Sequence, residues 1–279
     1  MGTKERIRRS VYAGTGWYPG HLEELRRTID DFLGNVEFQP VEGQLVGLIA
    51  PHAGYTYSGQ TAAYAYRQVV GLSYDVVVIV SPMHRMLMGR FAVTSAAAYE
   101  TPLGLIKLDD ELVGALAEKV RINRVDRDNE HSLEIQLPFL QVALGDLRLL
   151  PVMIGESSFE AGEELGTALA QVLKDKRALV VASTDLHHIE SYDEVVRRDK
   201  VVVDAIASFD MARIKEALSP WDCSVCGRIP VYAMLTVAKA LGADKVRILH
   251  HTNSGDVTGI RAPGQYTVGY LAAAVCKSQ

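Results

Sequence analysis

Three short stretches place side chains able to do chemistry directly after apolar runs, where a β-strand would end. His52 follows "QLVGLIAP", His84 follows "DVVVIVSPM", and Asp185, His187 and His188 follow "RALVVAST". Imidazole changes charge near neutral pH and is the commonest protein metal ligand. His52 and His84 come one and two residues after a proline, which fixes the direction in which the backbone leaves a strand. Two imidazoles held on rigid elements at one sheet edge suit a metal ion. Asp185 adds a carboxylate to that edge, and spacing leaves its role open between ligand, orienting partner, proton-transfer group and simple cap. His187 and His188 are adjacent and cannot both face one site unless the chain turns sharply. His250 and His251 close the run "KVRILHH"; on a strand they point to opposite faces, so core packing is the expected role.

Two other segments are dense in reactive groups. "DCSVCGRIPVYAML" carries Cys223 and Cys226. A zinc site would need a second cysteine pair, which Cys276 alone cannot supply, and the context is not that of a thioredoxin-like dithiol. That leaves one working cysteine. Cys226 precedes Gly227 and a helical pattern from Pro230, and a thiolate near a helix N-terminus is favoured electrostatically. In "DRDNEHSLEIQLPF", Glu130 and His131 stand at a predicted helix start, within reach of a neighbouring cleft.

The elements that must position these groups are legible as alternating βα units. Strands are expected over 44–50, 75–81, 147–155, 177–183 and 245–251, with near-continuous apolarity that implies burial on both faces. Helices are expected over 21–33, 58–70, 109–120, 132–144, 158–175, 193–209 and 230–242. The pattern predicts an α/β fold, one domain over 1–279 with a mostly parallel central sheet flanked by helices. In such sheets ligands bind beyond the carboxyl ends of the strands, which is where the histidines fall.

Composition narrows the function classes. Of 279 residues, 48% are hydrophobic and 23% charged, as in a globular protein, and a net charge of −5 argues against a nucleic-acid partner. No apolar run is long enough to span a membrane, and "VYAGTGWYPG" follows the basic start where a signal peptide would be apolar, so a cytoplasmic location is expected. No G-x-G-x-x-G fingerprint follows a strand, so no nucleotide cofactor is expected.

In the same order along the chain, "APHAGYTYSG", "SPMHR", "NEHSLEIQLPF", "STDLHH" and "CGRIP" resemble the marker segments of the Memo family, and "AGTGWYP" and "GQYTVGYLAAA" resemble its ends. The likeness implies a fold like that of the class III extradiol dioxygenases. It also implies prokaryotic partner proteins, a radical-SAM protein among them. It implies a metal site on His52, His84 and Cys226, with His188 as an acid/base group beside Asp185. One departure is local: Met83 and Arg85 flank His84 where many relatives carry serine and histidine. The dioxygenases use a carboxylate where Cys226 would stand, and sulfur widens the expected metal from Fe(II), the first choice, to copper or zinc. The leading expectation is therefore a metal-dependent oxidoreductase of a small molecule, with His188 oriented by Asp185 to move a proton. The alternatives are a non-catalytic protein binding a peptide, metal or partner, and a metal-dependent hydrolase.

Overall fold

A computed structural model describes residues 6–278. Its centre is four parallel strands in the spatial order Arg148–Ile154, Val76–Pro82, Ala178–Ser183 and Gln44–Ala50. Almost every residue in them is buried, which is why they read as unbroken apolar runs rather than alternating ones. Thr267–Lys277 continues the sheet antiparallel to Gln44–Ala50, and Lys245–Asn253 pairs antiparallel beyond it. Short strands Phe91–Thr94, Ala98–Thr101, Gly104–Leu108 and Asn123–Val125 extend the other side.

Helices cover both faces. Leu22–Gly34 and Tyr55–Tyr66 pack on one; Phe159–Leu173, Tyr192–Ser208 and Arg228–Ala240 pack on the other. The first of these shows the general rule, burying Leu25, Ile29 and Leu33 at four-residue spacing while its charged residues face water. Several helices begin at side-chain caps: Asp109 accepts from Leu112 N–H, Ser158 from Ala161 N–H and Ser191 from Glu194 N–H.

All five expected strands and all seven expected helices are present, with shifts that have local causes. The helix expected over 132–144 is two, His131–Glu134 and Gln136–Leu144. Pro138 has no N–H to donate to the Glu134 carbonyl, so the helix re-forms with the proline in its own first turn. The helix expected from 58 starts at Tyr55 behind Gly54 and ends in a 3-10 turn, Arg67–Val69. His250 and His251 do point to opposite faces: His250 stacks on Tyr64 at 4.3 Å between centroids, and His251 lies 3.7 Å from Asp199 of the helix on the far side.

One order of strands matters for the site. Ala178–Ser183 lies between Val76–Pro82 and Gln44–Ala50, so its exit at Asp185 falls between those of His84 and His52. Three segments distant in sequence therefore meet above one stretch of sheet, at its carboxyl edge.

Candidate metal centre

At the end of Gln44–Ala50 the main chain is held from both sides. The Pro51 carbonyl accepts from Gln136 Nε2 at 3.0 Å, and the His52 N–H donates to Asp185 Oδ1 at 2.8 Å. Burial pushes the Asp185 carboxyl up to about 7, against the N–H groups of His52 and Ala53, which favour its charged form. Asp185 thus fixes the turn that carries His52. It does not orient His188, whose Nδ1 is 3.2 Å from the Tyr266 hydroxyl and whose N–H donates to Ser224 Oγ at 2.9 Å. The expectation that Asp185 orients His188 is corrected accordingly.

The tautomer of His52 follows from counting protons. Ser183 Oγ donates its one hydrogen to the Ser132 carbonyl at 2.6 Å and accepts from Gln136 Nε2 at 2.8 Å. Its 2.8 Å contact with His52 Nδ1 must then be a second acceptance, which assigns the proton to Nδ1 and leaves the Nε2 lone pair free. Burial, and then the neighbouring His131 and His84, hold the His52 pKa well below the ordinary range, so the ring is neutral.

His84 is set in the same way by a carboxylate. Glu130 Oε1 takes the Nδ1 hydrogen at 2.9 Å, and Oε2 takes the His84 backbone N–H at 2.6 Å. Glu130 also accepts from Ser132 N–H at the helix start and from Arg85 N–H. Burial opposes its ionisation, but His131 Nδ1, 3.1 Å from Oε1, and the bonds from His84 hold it far below the usual carboxylate range. With Nδ1 committed, His84 presents Nε2.

His131 completes a cluster. The ring centroids of His52, His84 and His131 are 4.6 to 5.4 Å apart, and one donor atom from each lies within 4.8 Å of the others. Among the described residues Cys226 is not a member of that group, but its Sγ is 3.2 Å from His52 Nε2. In the metal-free protein this is the distance of a thiol S–H donating to the Nε2 lone pair; two donors bound to one ion at about 2.0 and 2.3 Å would stand about 3.2–3.6 Å apart, so the spacing is also compatible with shared ligation. Gly227 makes the position reachable: a Cβ there would collide with the Ser183 carbonyl and the Thr184 side chain. The helix N-terminus does not favour a thiolate here as the sequence suggests. Burial, and then the charge of Asp185, push the Cys226 thiol far up in the metal-free protein.

The cluster opens into a cavity of about 650 Å³, with His188 and Asp185 at its base and Trp17, Tyr57, Tyr266 and Tyr270 among its walls. Among the described residues no lysine or arginine lines it. Burial, and then the charge of His84, lower His188 to about 4, and its Nε2 is enclosed without a hydrogen-bond partner. His187 turns the other way, its Nδ1 2.8 Å from Asp199 Oδ1.

One wall comes from the N-terminal segment. Glu134, fully buried, accepts from the N–H groups of Val11 and Tyr12 and from the Tyr18 hydroxyl at 2.6 Å, and pairs with buried Arg8. This holds Trp17 against His131, 4.6 Å between ring centroids. Sequence reading did not single out Ser183, Gln136, Glu134 or Trp17. For Glu134 and Gln136 the available signal was polar residues on a helical stretch that otherwise reads as apolar.

An open, mostly parallel α/β sheet with a histidine-rich centre beyond its strand ends defines the class. The Memo-like protein model matches residues 8–274, and the chain belongs to the Memo family. It is 38% identical over 281 residues to a MEMO1 family protein of Thermotoga neapolitana, covering 96% of this chain and 99% of that one. It is 34% identical over 280 residues to the MEMO1 family protein PAE0818 of Pyrobaculum aerophilum, covering 96% and 98%. In fold it resembles the crystal structure of the uncharacterized protein JW3007 from Escherichia coli K12, with a TM-score of 0.52 at 13% identity, covering 83% of this chain and 99% of that one. No helix among the described residues is long and apolar enough to cross a membrane.

Proposed function

We propose that this Memo-family chain is a metal-dependent oxidoreductase acting on a small molecule without a strong negative charge, and that Fe(II) is its metal, with copper or zinc as the alternatives. The observation that carries the proposal is the pair of fixed tautomers. Ser183 and Glu130 commit the Nδ1 hydrogens of His52 and His84, so both rings offer Nε2 as a donor, and that of His52 lies 3.2 Å from the Cys226 sulfur.

The donor set fits a borderline divalent ion: two imidazoles that present Nε2, a sulfur 3.2 Å from one of them, and a third imidazole in the same close group. His52, His84 and Cys226 would hold the ion, and His131, which forms the close donor group with the two histidines, would stand beside it as a further donor. Bound there, a redox-active ion supplies Lewis acidity and a one-electron couple. His188, lowered to about 4 and therefore neutral at neutral pH, lines the cavity and is the imidazole available to accept a proton from a substrate hydroxyl. Tyr266 and Ser224 hold it in place while it does so. Aromatic side chains form part of the walls, and a lining without lysine or arginine among the described residues offers no cation to a phosphate or carboxylate.

Anaerobic purification followed by metal analysis tests the centre. His52→Ala and Cys226→Ala are expected to lose most of the bound iron, and His131→Ala to retain more of it. Unchanged iron in the first two sinks the reading. Iron that binds but supports no oxygen or substrate consumption across a broad small-molecule screen favours the binding-protein alternative, and activity retained without oxygen favours hydrolysis.

A further inference from the structure

The amino-terminal edge of the sheet, opposite the metal centre, holds a second cavity of about 690 Å³. Arg148 opens the strand Arg148–Ile154 and Asp75 immediately precedes Val76–Pro82, so this cavity lies a strand's length, about 20 Å, from the histidines. Three cations from separate elements line it: Arg26 of the helix Leu22–Gly34, Lys107 of Gly104–Leu108, and Arg148. Lys107 and Arg148 are direct partners in the parallel pairing of their strands, and like charges so placed repel. Among the described residues none of the three forms an ion pair. The chain carries 34 acidic against 29 basic residues, so three uncompensated cations around one concavity are not a consequence of composition.

The two carboxylates of the cavity leave that charge in place. Asp75 is committed to the main chain, where its Oδ2 accepts from the Arg177 N–H at 2.8 Å, and Asp146 pairs with none of the three cations. Tyr74 adds a hydroxyl without a partner among the described residues. Burial pushes its pKa up to about 12, so it remains a donor. On the other side Leu103 and Leu105 offer apolar surface, Leu105 being 51% exposed.

We propose that this cavity binds the phosphate monoester of a small hydroxylated molecule, its phosphate held among Arg26, Lys107 and Arg148. A carboxylate has one charge and two oxygens, too little for three cations and a phenol. A phosphate monoester has close to two charges and three terminal oxygens, and the planar guanidinium matches those oxygens in pairs. Longer polyphosphates would bring further negative charge against Asp75 and Asp146. The leucines take the carbon skeleton, and Asp146 is free to accept a hydroxyl hydrogen from it. The metal cavity, with no lysine or arginine among its described lining residues, offers this ligand no equivalent.

The test uses the whole chain with glucose 6-phosphate as probe, and glucose and inorganic phosphate as controls. Calorimetric titration at low salt measures affinity, and lysine acetylation read peptide by peptide by mass spectrometry locates the ligand. At ten times its dissociation constant the ester fills about nine-tenths of the sites, so Lys107 is expected to acetylate about tenfold more slowly. Lys200 and Lys245, which do not line the cavity, are expected to keep their rates. Lys107→Met and Arg148→Met, both at exposed positions, are each expected to weaken binding about tenfold, and Lys245→Met to leave it unchanged. Inorganic phosphate is expected to bind more weakly than the ester, since it leaves the leucines and Asp146 unused. The proposal is overturned if glucose binds as tightly as its phosphate, if the ester does not bind, or if Lys107 is protected no more than Lys200 and Lys245. Equal weakening by all three substitutions would reduce the effect to the overall field of the protein and would overturn it as well. The protection pattern is read on the wild-type chain and stands whether or not the variants fold.

Discussion

Glu130→Gln keeps the shape of the side chain and changes what its two oxygens can do. In the native site Oε2 accepts the backbone N–H groups of His84 and Arg85, while Oε1 accepts from His84 Nδ1 and Ser132 N–H. Glutamine has one oxygen and one NH2. If the NH2 faces the backbone, donors meet donors at two N–H groups that cannot adapt. If it faces the imidazole, Ser132 N–H loses its partner, while His84, and His131 whose Nδ1 is 3.1 Å from the same oxygen, adapt by becoming acceptors at Nδ1. The second arrangement is therefore favoured, and it moves the imidazole hydrogen to Nε2, the atom offered to the ion. Loss of such an orienting partner weakens metal binding by about 10–100-fold, or about 1.4–2.7 kcal/mol. The orphaned Ser132 N–H costs about another 1–3 kcal/mol of folding stability. Titration with Fe(II) under anaerobic conditions measures the first quantity, and urea unfolding of the metal-free protein the second. Unchanged iron affinity in Glu130→Gln would refute the tautomer argument and, with it, the reason for placing the ion against His84.

Arg8→Ala leaves Glu134 charged, buried and without its cationic partner, so urea unfolding should show a loss of about 3–5 kcal/mol; a loss under about 1 kcal/mol would show that the pair is not what holds the N-terminal segment. The pH dependence of stability carries the signature of His188, whose folded pKa is depressed to about 4. Between the unfolded value of about 6.5 and that folded value, the unfolded chain takes up a proton that the folded chain refuses, so stability falls as pH drops, by up to about 3 kcal/mol. His188→Gln should flatten this limb in metal-free protein, and an unaltered slope from pH 6.5 to 4 would remove His188 as its source.

The sequence carried the scaffold well and the centre incompletely, for physical reasons that differ. Parallel strands buried on both faces leave continuous β-branched runs, and the first of them falls on the observed Gln44–Ala50. Thr267–Lys277 leaves no such mark, because "TVGYLAAAVCK" is rich in alanine, which reads as helix, and its strand character comes from pairing with neighbours distant in the chain. His52, His84 and Asp185 were visible because each closes its own strand. Their proximity depends on Ala178–Ser183 inserting between the other two, and strand order leaves no local trace. His131 stood out only as a residue at a helix start, and the partners that fix the imidazoles, Ser183 and Glu130, act across 131 and 46 positions.

The Arg8–Glu134 attachment also has a consequence in time. Its hydrogen bonds join residues 116 to 126 positions apart, so they cannot form until nearly half the chain is in place. Contacts of that span close late during folding, because the loop entropy must be met first. The turn that carries His52 closes over a still longer span, 133 positions to Asp185, so the wall carrying Trp17 and the sheet edge beneath it form in the same late stage, and an ion offered to the finished protein must enter through the mouth of the cavity.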